Sequence, residues 1–216
     1  MSTKNTIFFL IVLILATFGG SLVLSTRMPE SMASHWNAQG QVDGYSSRTF
    51  GLYYVPAMQL GLALLFLGIP LIDPRKENIR KFRPVFNLFI IFIVGFFSYI
   101  HGLTLVWNLG VSFALMLWMS PAMALLLFLA GVLIHKAQPN FFIGIRTPWT
   151  LSDDRVWNET HRMGGWAFKA CGLLSLLGMI SPAFAIVFLL VPVLVAAFGL
   201  ILYSYILYRK YHPNIE

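Results

Sequence analysis

Six stretches of almost pure hydrocarbon, separated by short polar segments, constrain this chain more than any motif. A helix that crosses a bilayer needs roughly 20 mostly apolar residues. Charged residues make up only 11% of the 216 residues, whereas soluble domains carry about 25%. The sequence therefore predicts an all-α, polytopic membrane helix bundle with six transmembrane helices. The predicted spans are residues 6–24, 51–72, 85–107, 111–134, 166–180 and 183–207.

The first span is predicted to be an uncleaved anchor rather than a signal peptide. Its apolar core of about 19 residues exceeds the usual 7–15 residues of a signal sequence, and no Ala-x-Ala cleavage pattern follows it. The lone cysteine, Cys171, excludes an internal disulfide framework and a cysteine-based metal site.

The placement of lysine and arginine predicts the orientation, since cytoplasmic loops carry an excess of both. With the N-terminus inside, twelve basic residues lie on the inner side, and only Arg27 and Arg48 lie outside. We therefore predict a plasma-membrane protein with both termini in the cytoplasm. The net charge of +7 is interpreted as a topology signal that also meets anionic lipid headgroups, not as a sign of direct nucleic-acid binding. The inner basic residues are Lys4, Arg75, Lys76, Arg80, Lys81, Arg83, Lys136, Arg146, Arg155, Arg162, Arg209 and Lys210.

This topology places two long polar loops on opposite faces, residues 25–50 outside and residues 135–165 inside. It suggests an N-terminal membrane region, residues 1–84, and a C-terminal membrane region, residues 85–216. The two three-helix halves have the loop placement of an inverted repeat, an arrangement that many transporters use. The halves share no convincing residue identity, so the repeat stays one of two open interpretations, the other being coincidence.

The outer loop is predicted to form a small hairpin. Gly40 and the Asp43-Gly44 pair are turn signals, and the stretches beside them can pair as strands. One interpretation is an outward-facing surface that recognises a ligand, and the other is an aromatic anchor at headgroup level. A metal site at His35 and Asp43 lacks a third ligand at suitable spacing. The candidate recognition residues are His35, Trp36, Asn37, Asp43 and Tyr45.

The second loop, residues 73–84, reads as a basic cytoplasmic connector. Its positive charge is typical of a topology determinant beside anionic lipid.

The inner loop, residues 135–165, is the most organised polar segment, and we call it the signature loop. Ser152 or Thr150 is predicted to cap a short amphipathic helix on the membrane surface, which runs to about Met163 and stops at Gly164-Gly165. Trp157 and His161 are expected to pack this helix against the bundle. The residues singled out in this loop are Asn140, Gly144, Arg146, Thr147, Pro148, Trp149, Ser152, Trp157 and His161.

Two interpretations of the signature loop stay open. In one, the exposed Arg155 and Arg162 dock a soluble cytoplasmic regulator. In the other, the loop only seals the bottom of the bundle. The acids Asp153, Asp154 and Glu159 beside His161 suggest a metal or acid–base cluster, but helix capping explains the two aspartates more simply. Because metalloprotease spacing and nucleophile motifs are absent from the sequence, we expect no cofactor, no metal and no enzymatic activity.

Two polar residues fall inside predicted spans. Lys169 lies about one turn from the inner boundary, where its amine can reach the headgroups. His101 lies nearer the outer end of the third span. An ionisable group in a span is a candidate functional site, although a neutral, hydrogen-bonded histidine is the commoner role.

At its two long loops the chain resembles the SdpI family of bacterial membrane proteins. The outer match is His35-Trp36-Asn37 followed by Gly40 and Asp43-Gly44-Tyr45. The inner match is residues 140–152, Val156-Trp157, Thr160-His161 and Gly164-Gly165. The resemblance implies an immunity protein that protects the cell from a secreted, membrane-active peptide toxin. It also implies a signalling role in which a cytoplasmic repressor is held at the membrane.

Two other function classes remain open at this point. A small-solute transporter is favoured if His101 and the proline-containing spans line a water-accessible cavity. A membrane enzyme would use the signature-loop acids and His161. The sequence specifies neither the toxin or solute nor the oligomeric state.

Overall fold

The structure is a computed structural model that describes residues 1–213. Six of its helices are long and apolar enough to cross a membrane, which confirms the predicted polytopic helix bundle. Short 3-10 turns at Ser25–Arg27 and Pro182–Phe184 complete the described secondary structure. The other elements are α1 (Thr3–Leu24), β1 (Ser31–Trp36), β2 (Val42–Ser47), α2 (Arg48–Ile72), α3 (Lys76–Asn108), α4 (Leu115–Lys136), α5 (Pro148–Ser152), α6 (Asp154–Ser175), α7 (Leu177–Ile180) and α8 (Ala185–Tyr211).

The long helices pack as two groups of three. Helices α1, α2 and α3 contact one another, as do α4, α6 and α8, and α3 also packs on α4. Phe86, Ile90 and Val94 of α3 are buried at the centre of the larger apolar core. Large apolar side chains such as Leu71 and Phe198 are exposed on the outside, as expected of a bundle whose surroundings are lipid. The division predicted at residue 84 falls within α3, which is continuous across it.

Glycines bring α4 and α6 into close backbone contact. A Cβ on Gly131 would lie 2.7 Å from the carbonyl oxygen of Gly165, and one on Gly172 would lie 2.6 Å from that of Ala124. Small residues allow this approach between helices in a membrane. The prediction that a helix stops at Gly164-Gly165 is therefore wrong. Helix α6 runs through both glycines, because packing against α4 outweighs their low helix propensity.

The predicted cap of the surface helix is also wrong. Thr147 and Thr150 form a capping box that starts the short helix α5. The cap of α6 is Asp153, whose carboxylate accepts hydrogen bonds from the backbone N–H groups of Arg155 and Val156. Neither Ser152 nor Thr150 caps it. The segment expected to lie on the membrane surface is thus α5 followed by the first turns of a spanning helix.

The connector predicted at residues 73–84 is largely helical. Helix α3 begins at Lys76 and passes through Pro84. Glu77 lies in its first turn, where a negative charge is favourable, and it pairs with Arg80 one turn on. These polar turns extend α3 beyond its apolar stretch. Hydropathy alone detects the apolar stretch but not this polar extension.

The predicted hairpin is confirmed, with β1 antiparallel to β2. Gly40 adopts φ +77° in its turn, a conformation that favours glycine. The side chain of Asn108, at the end of α3, accepts from the N–H of Ala33 at 2.8 Å and donates to its carbonyl at 3.0 Å. This pair of bonds fixes the hairpin over one end of the bundle, here called the hairpin end. The opposite end, which carries α5, is called the signature end.

Candidate ligand site at the hairpin end

A cavity of about 480 Å³ lies beneath the hairpin, between strand β1 and helices α2, α3, α4 and α8. Its volume is within the range of small-molecule sites, roughly 300–1,000 Å³. Most of its wall is apolar, and its lining contains no lysine, arginine, aspartate or glutamate among the described residues. The lining residues are Ser34, His35, Trp36, Phe50, Gly51, Tyr54, Val55, Ile100, His101, Leu103, Thr104, Leu115, Met116, Met119, Met123, Ile186 and Leu189.

Helix α4 contributes three methionines to this wall. Met116, Met119 and Met123 are spaced three and four residues apart, so they share one face of the helix. Methionine is flexible and polarisable, and it adapts to ligands of irregular shape. This face of α4 is therefore suited to contact an apolar ligand.

His101 is the buried polar residue of the cavity wall. Oγ of Ser21 lies 2.8 Å from the carbonyl oxygen of Leu52 and 2.7 Å from Nε2 of His101. A hydroxyl has one hydrogen to donate. The carbonyls of Leu52 and of Thr17, the latter 3.2 Å away, can only accept. Ser21 therefore donates to a carbonyl and accepts from Nε2–H of His101. The network thus assigns the ring hydrogen to Nε2 and leaves Nδ1 as an acceptor, which has no hydrogen-bond partner within residues 1–213.

Trp36 of the hairpin also lines the cavity. Its indole packs edge-on against Trp107, with the ring centroids 5.9 Å apart. Its Nε1 is buried and has no hydrogen-bond partner in the described part of the chain. Buried indole N–H groups usually find a partner. Two residues that line the cavity, Trp36 and His101, therefore each carry a ring nitrogen that is itself buried and has no hydrogen-bond partner within residues 1–213.

The other candidate recognition residues have different roles in the structure: some shape the hairpin and one is exposed for contact. Nδ1 of His35 lies 2.5 Å from a carboxylate oxygen of Asp43 on the exposed face of the hairpin. Oδ1 of Asn37 accepts from the backbone N–H groups of Gln39 and Gln41, so Asn37 shapes the turn. Tyr45 is 66% exposed, and its ring is therefore available for contact.

The signature end is organised around His161 and Trp157, both buried as expected. Nε2 of His161 accepts from the N–H of Ile145 at 3.0 Å, and its Nδ1 lies 2.9 Å from the Trp157 carbonyl. Nε1 of Trp157 donates to the Ala137 carbonyl at 3.0 Å. Gly144 adopts φ +116°, and a Cβ there would collide with Nε2 of His161. These bonds join the signature loop to the first turns of α6.

The remaining signature-loop residues build the same platform. Oδ1 of Asn140 accepts from the N–H of Ile143 at 2.6 Å, and Asp73 accepts from the N–H of Phe141 at 2.9 Å. Arg146 donates to the Phe141 carbonyl at 2.7 Å. Further contacts reach α8 or remain within α5: Thr147 with Ser204, Trp149 with Tyr205, and Ser152 with the carbonyl of Pro148.

The acids of this end face different partners instead of one another. Asp153 pairs with Arg155 and His212, and Asp154 pairs with Arg75. Glu159 accepts from the Tyr211 hydroxyl. Within residues 1–213 no three histidine, cysteine, aspartate or glutamate side chains come together in a metal-binding group.

Three basic residues predicted to have a role at the signature end or within a span remain. Arg155, a candidate docking residue, lies over the Tyr211 ring as well as pairing with Asp153, whereas Arg162 is exposed. The ammonium of Lys169 lies 4.5 Å from the centroid of Trp166, a cation–π contact.

Fold and cavity together define a multi-pass α-helical membrane protein with a ligand-sized cavity at one end. Residues 136–205 match the SdpI/YfhL protein family, in agreement with the resemblance of the signature loop to that family. Residues 2–60 match a domain of unknown function, DUF1648. The chain is similar to the Immunity protein SdpI of Bacillus subtilis (strain 168), with 26% identity over 201 residues, which cover 93% of this chain and 94% of that protein. No solved structure matches the chain significantly.

The sequence did not predict the cavity. Its wall is assembled from five elements that are distant in the chain. The methionine spacing on α4 was the one available signal, and it also fits an ordinary packing face. Ser21, which orients His101, carries no motif.

Proposed function

We propose that this protein is an immunity protein that protects its own membrane from a secreted, membrane-active peptide toxin. The observation that carries the proposal is the similarity to an immunity protein along nearly the whole chain. The cavity at the hairpin end supports it, because a membrane-active peptide brings apolar groups that such a wall can contact.

The hairpin end is proposed to face the outside of the cell, where it meets the toxin. The bias of lysine and arginine toward the other end supports this orientation. Within the hairpin, Trp36 and Tyr45 are the proposed contact residues. Asn37 and the His35–Asp43 pair hold the turn and strands that present them.

The test begins with deletion of the gene. Loss of the protein should sensitise cells to a secreted peptide, and the wild-type chain should restore protection. Trp36→Ala and Tyr45→Ala should lower protection at unchanged membrane abundance, whereas Asn37→Ala should also disturb the hairpin. Phe198→Ala is the matched control, since it truncates an aromatic residue that is 69% exposed on α8. If deletion changes no peptide sensitivity, the proposed function is wrong.

A signalling role is proposed in addition, with a cytoplasmic repressor docking at the signature end. The exposed Arg162 and the exposed arm of Arg155 give this surface positive charge. Reversal of both charges should abolish repressor capture. Because reversal at Arg155 also breaks its pair with Asp153, Arg162→Glu alone is the variant expected to reduce capture at unchanged abundance. Protection and partner recruitment that both survive the double reversal would leave the signature end with a structural role alone.

A further inference from the structure

We infer that a groove at the signature end binds one anionic phospholipid, whose phosphate contacts Arg80 and Arg83 and whose acyl chain lies along helices α1 and α2. The groove has a volume of about 440 Å³ and lies between the start of α1, the end of α2 and the first turns of α3. It is at the opposite end of the bundle from the cavity beneath the hairpin. The inference does not depend on the proposed function.

Two arginines supply the positive charge of the groove. Arg80 and Arg83 are three residues apart on α3, so their side chains share one face of the helix. Both line the groove, and among the described residues no aspartate or glutamate lines it. The wall therefore favours a ligand with a negative charge.

Arg83 is positioned by a buried neighbour. Oδ1 of Asn87, which is fully buried, accepts from Nε of Arg83 at 2.7 Å, and the Asn87 amide donates to the Met1 carbonyl at 3.2 Å. The two Nη groups of Arg83 have no hydrogen-bond partner within residues 1–213, and neither is fully buried. Arginine binds phosphate oxygens through such a fork of N–H donors.

Arg80 is held more loosely. Its Nη1 donates to the Glu77 carboxylate at 2.9 Å, and the side chains of this pair are 71% and 67% exposed. An exposed ion pair contributes little to stability. Arg80 can therefore turn toward an anion that Arg83 holds, at little cost.

The rest of the wall favours a lipid over a soluble anion. Ile7 of α1 and Leu67 and Leu71 of α2 line the groove. Both helices are long and apolar enough to cross a membrane, and Arg83 adjoins the apolar stretch of α3 that begins at Val85. An acyl chain can thus contact the apolar wall while the phosphate of the same molecule reaches the arginines. Basic pockets between spanning helices bind anionic headgroups in this way.

The experiment uses the purified full chain in lipid nanodiscs and two photoreactive phospholipids with the same diazirine-bearing acyl chain. One is a phosphatidylglycerol, whose headgroup is anionic, and the other is a phosphatidylcholine, whose headgroup is zwitterionic. Labelled positions are mapped by mass spectrometry at equal probe concentration. We expect the phosphatidylglycerol to label the segment from Leu67 to Leu71 at least about ten-fold more strongly, as the attraction of two basic residues implies.

Three charge variants locate this preference. Arg83→Gln and Arg80→Gln each remove one charge and should each lower the preference about five-fold. Lys81→Gln is the matched control, because it removes a charge from the same turn of α3 at a residue that does not line the groove. Its preference should change by less than about two-fold, since exposed charges are screened. Arg80→Gln alters an exposed side chain, so it keeps the test decisive if loss of the Asn87 bond unfolds Arg83→Gln.

Two further variants test the apolar part of the groove. Ile7→Trp should fill it and abolish labelling of the α2 segment by both lipids. Ile11→Trp is the matched control, because Ile11 lies one turn further along α1, is 52% exposed and does not line the groove. Labelling that survives Ile7→Trp unchanged would place the acyl chain elsewhere and contradict the inference.

Equal labelling of the wild type by the two lipids would overturn the inference, because the groove would then accept an acyl chain of any phospholipid. Equal losses of preference in Arg80→Gln and Lys81→Gln would also overturn it, since general attraction to a basic surface would explain both. Excess glycerol phosphate serves as a soluble competitor and should leave the labelling unchanged. Loss of labelling in its presence would assign the two arginines to a soluble anion instead of a lipid.

Discussion

The imidazole of His161 stacks on the indole of Trp157, with ring centroids 3.9 Å apart and planes 13° apart. One helical turn separates the two residues on α6, so the helix itself aligns the rings. His161 uses both ring nitrogens, one toward the Ile145 N–H and one toward the Trp157 carbonyl. The stack thereby links the start of α6 to the signature loop, and this link is the basis of the first prediction.

Gly144→Ala should destabilise the protein strongly. Its φ of +116° disfavours any side chain, and the new methyl group would collide with Nε2 of His161. Strained backbone costs about 1–3 kcal/mol, and displacement of His161 adds the loss of its bond to Ile145. Gly110→Ala is the matched control, because Gly110 has φ +92° and a methyl group added there would meet nothing within 4 Å. Thermal unfolding in detergent should show a larger decrease in the unfolding midpoint for Gly144→Ala. Equal decreases in the two variants would show that the collision with His161 does not contribute.

Gly165→Ala should loosen the contact between α4 and α6. A Cβ there would lie 2.5 Å from Cβ of His135 and 3.0 Å from the carbonyl oxygen of Gly131, so the helices must separate. Overpacking of this kind costs typically about 1–3 kcal/mol. Gly61→Ala is the control, since Gly61 lies in α2 with nothing within 4 Å and should gain roughly 0.5–1 kcal/mol. The unfolding midpoint should fall for Gly165→Ala and rise for Gly61→Ala. A higher midpoint for Gly165→Ala would contradict the packing argument.

Hydropathy predicted the bundle well because span length and composition are local properties. The hairpin was equally predictable, since Gly40 marks its turn in the sequence. The Asp43-Gly44 pair, also predicted as a turn signal, instead lies within β2, where Gly44 is opposite His35. The error at Gly164-Gly165 has a different origin. A glycine pair is typical of a helix end when only local propensity is considered. Here Gly165 packs against His135 and Gly131 of α4, at least 30 positions away in the chain, and Gly164 packs most closely against Ile145 of the signature loop.

The site was less predictable than the fold. His101 was recognised as a buried polar residue in a span, but its unpaired Nδ1 follows from Ser21 and Leu52, which lie on two other helices. Trp36 belonged to a recognisable motif, yet whether its indole N–H is paired depends on tertiary packing. Sequence patterns identified the residues, and only the assembled helices identified the cavity they share.

Asp153→Asn should reduce stability at neutral pH and have a smaller effect in acid. The Arg155 guanidinium beside it, with the backbone N–H groups of Arg155 and Val156 and the ring of His212, holds the pKa of the Asp153 carboxyl well below its ordinary value of 3.8. A depressed pKa stabilises the folded state above the unfolded pKa, and this stabilisation is lost as the pH falls through the folded value. Asparagine caps helices about as well as aspartate, so the variant isolates the charge.

The measurement is the unfolding midpoint of both proteins from pH 7 to about pH 3, where unfolded aspartate, with a pKa of about 3.9, has become protonated. The difference should be about 1–3 kcal/mol at pH 7 and should shrink below pH 4. Asp154→Asn is the control. The Asp154 side chain, which pairs with Arg75, is 63% exposed, and exposed ion pairs contribute little to stability. A difference that persists unchanged into acid would show that the charge of Asp153 is not the cause.

Cysteine labelling from outside intact cells should modify thiols at the hairpin end only. Gln39 and Gln41 lie in the exposed hairpin turn, and Lys76 and Asp154 are exposed at the signature end, so all four positions accept a cysteine without disturbing the core. The natural Cys171 is buried and is replaced by serine in the background. The twelve-to-two distribution of basic residues predicts that a membrane-impermeant maleimide reaches positions 39 and 41, and reaches 76 and 154 only after the membrane is permeabilised. Labelling of position 154 in intact cells would reverse the orientation, and the toxin-facing surface would then have to be sought at the signature end.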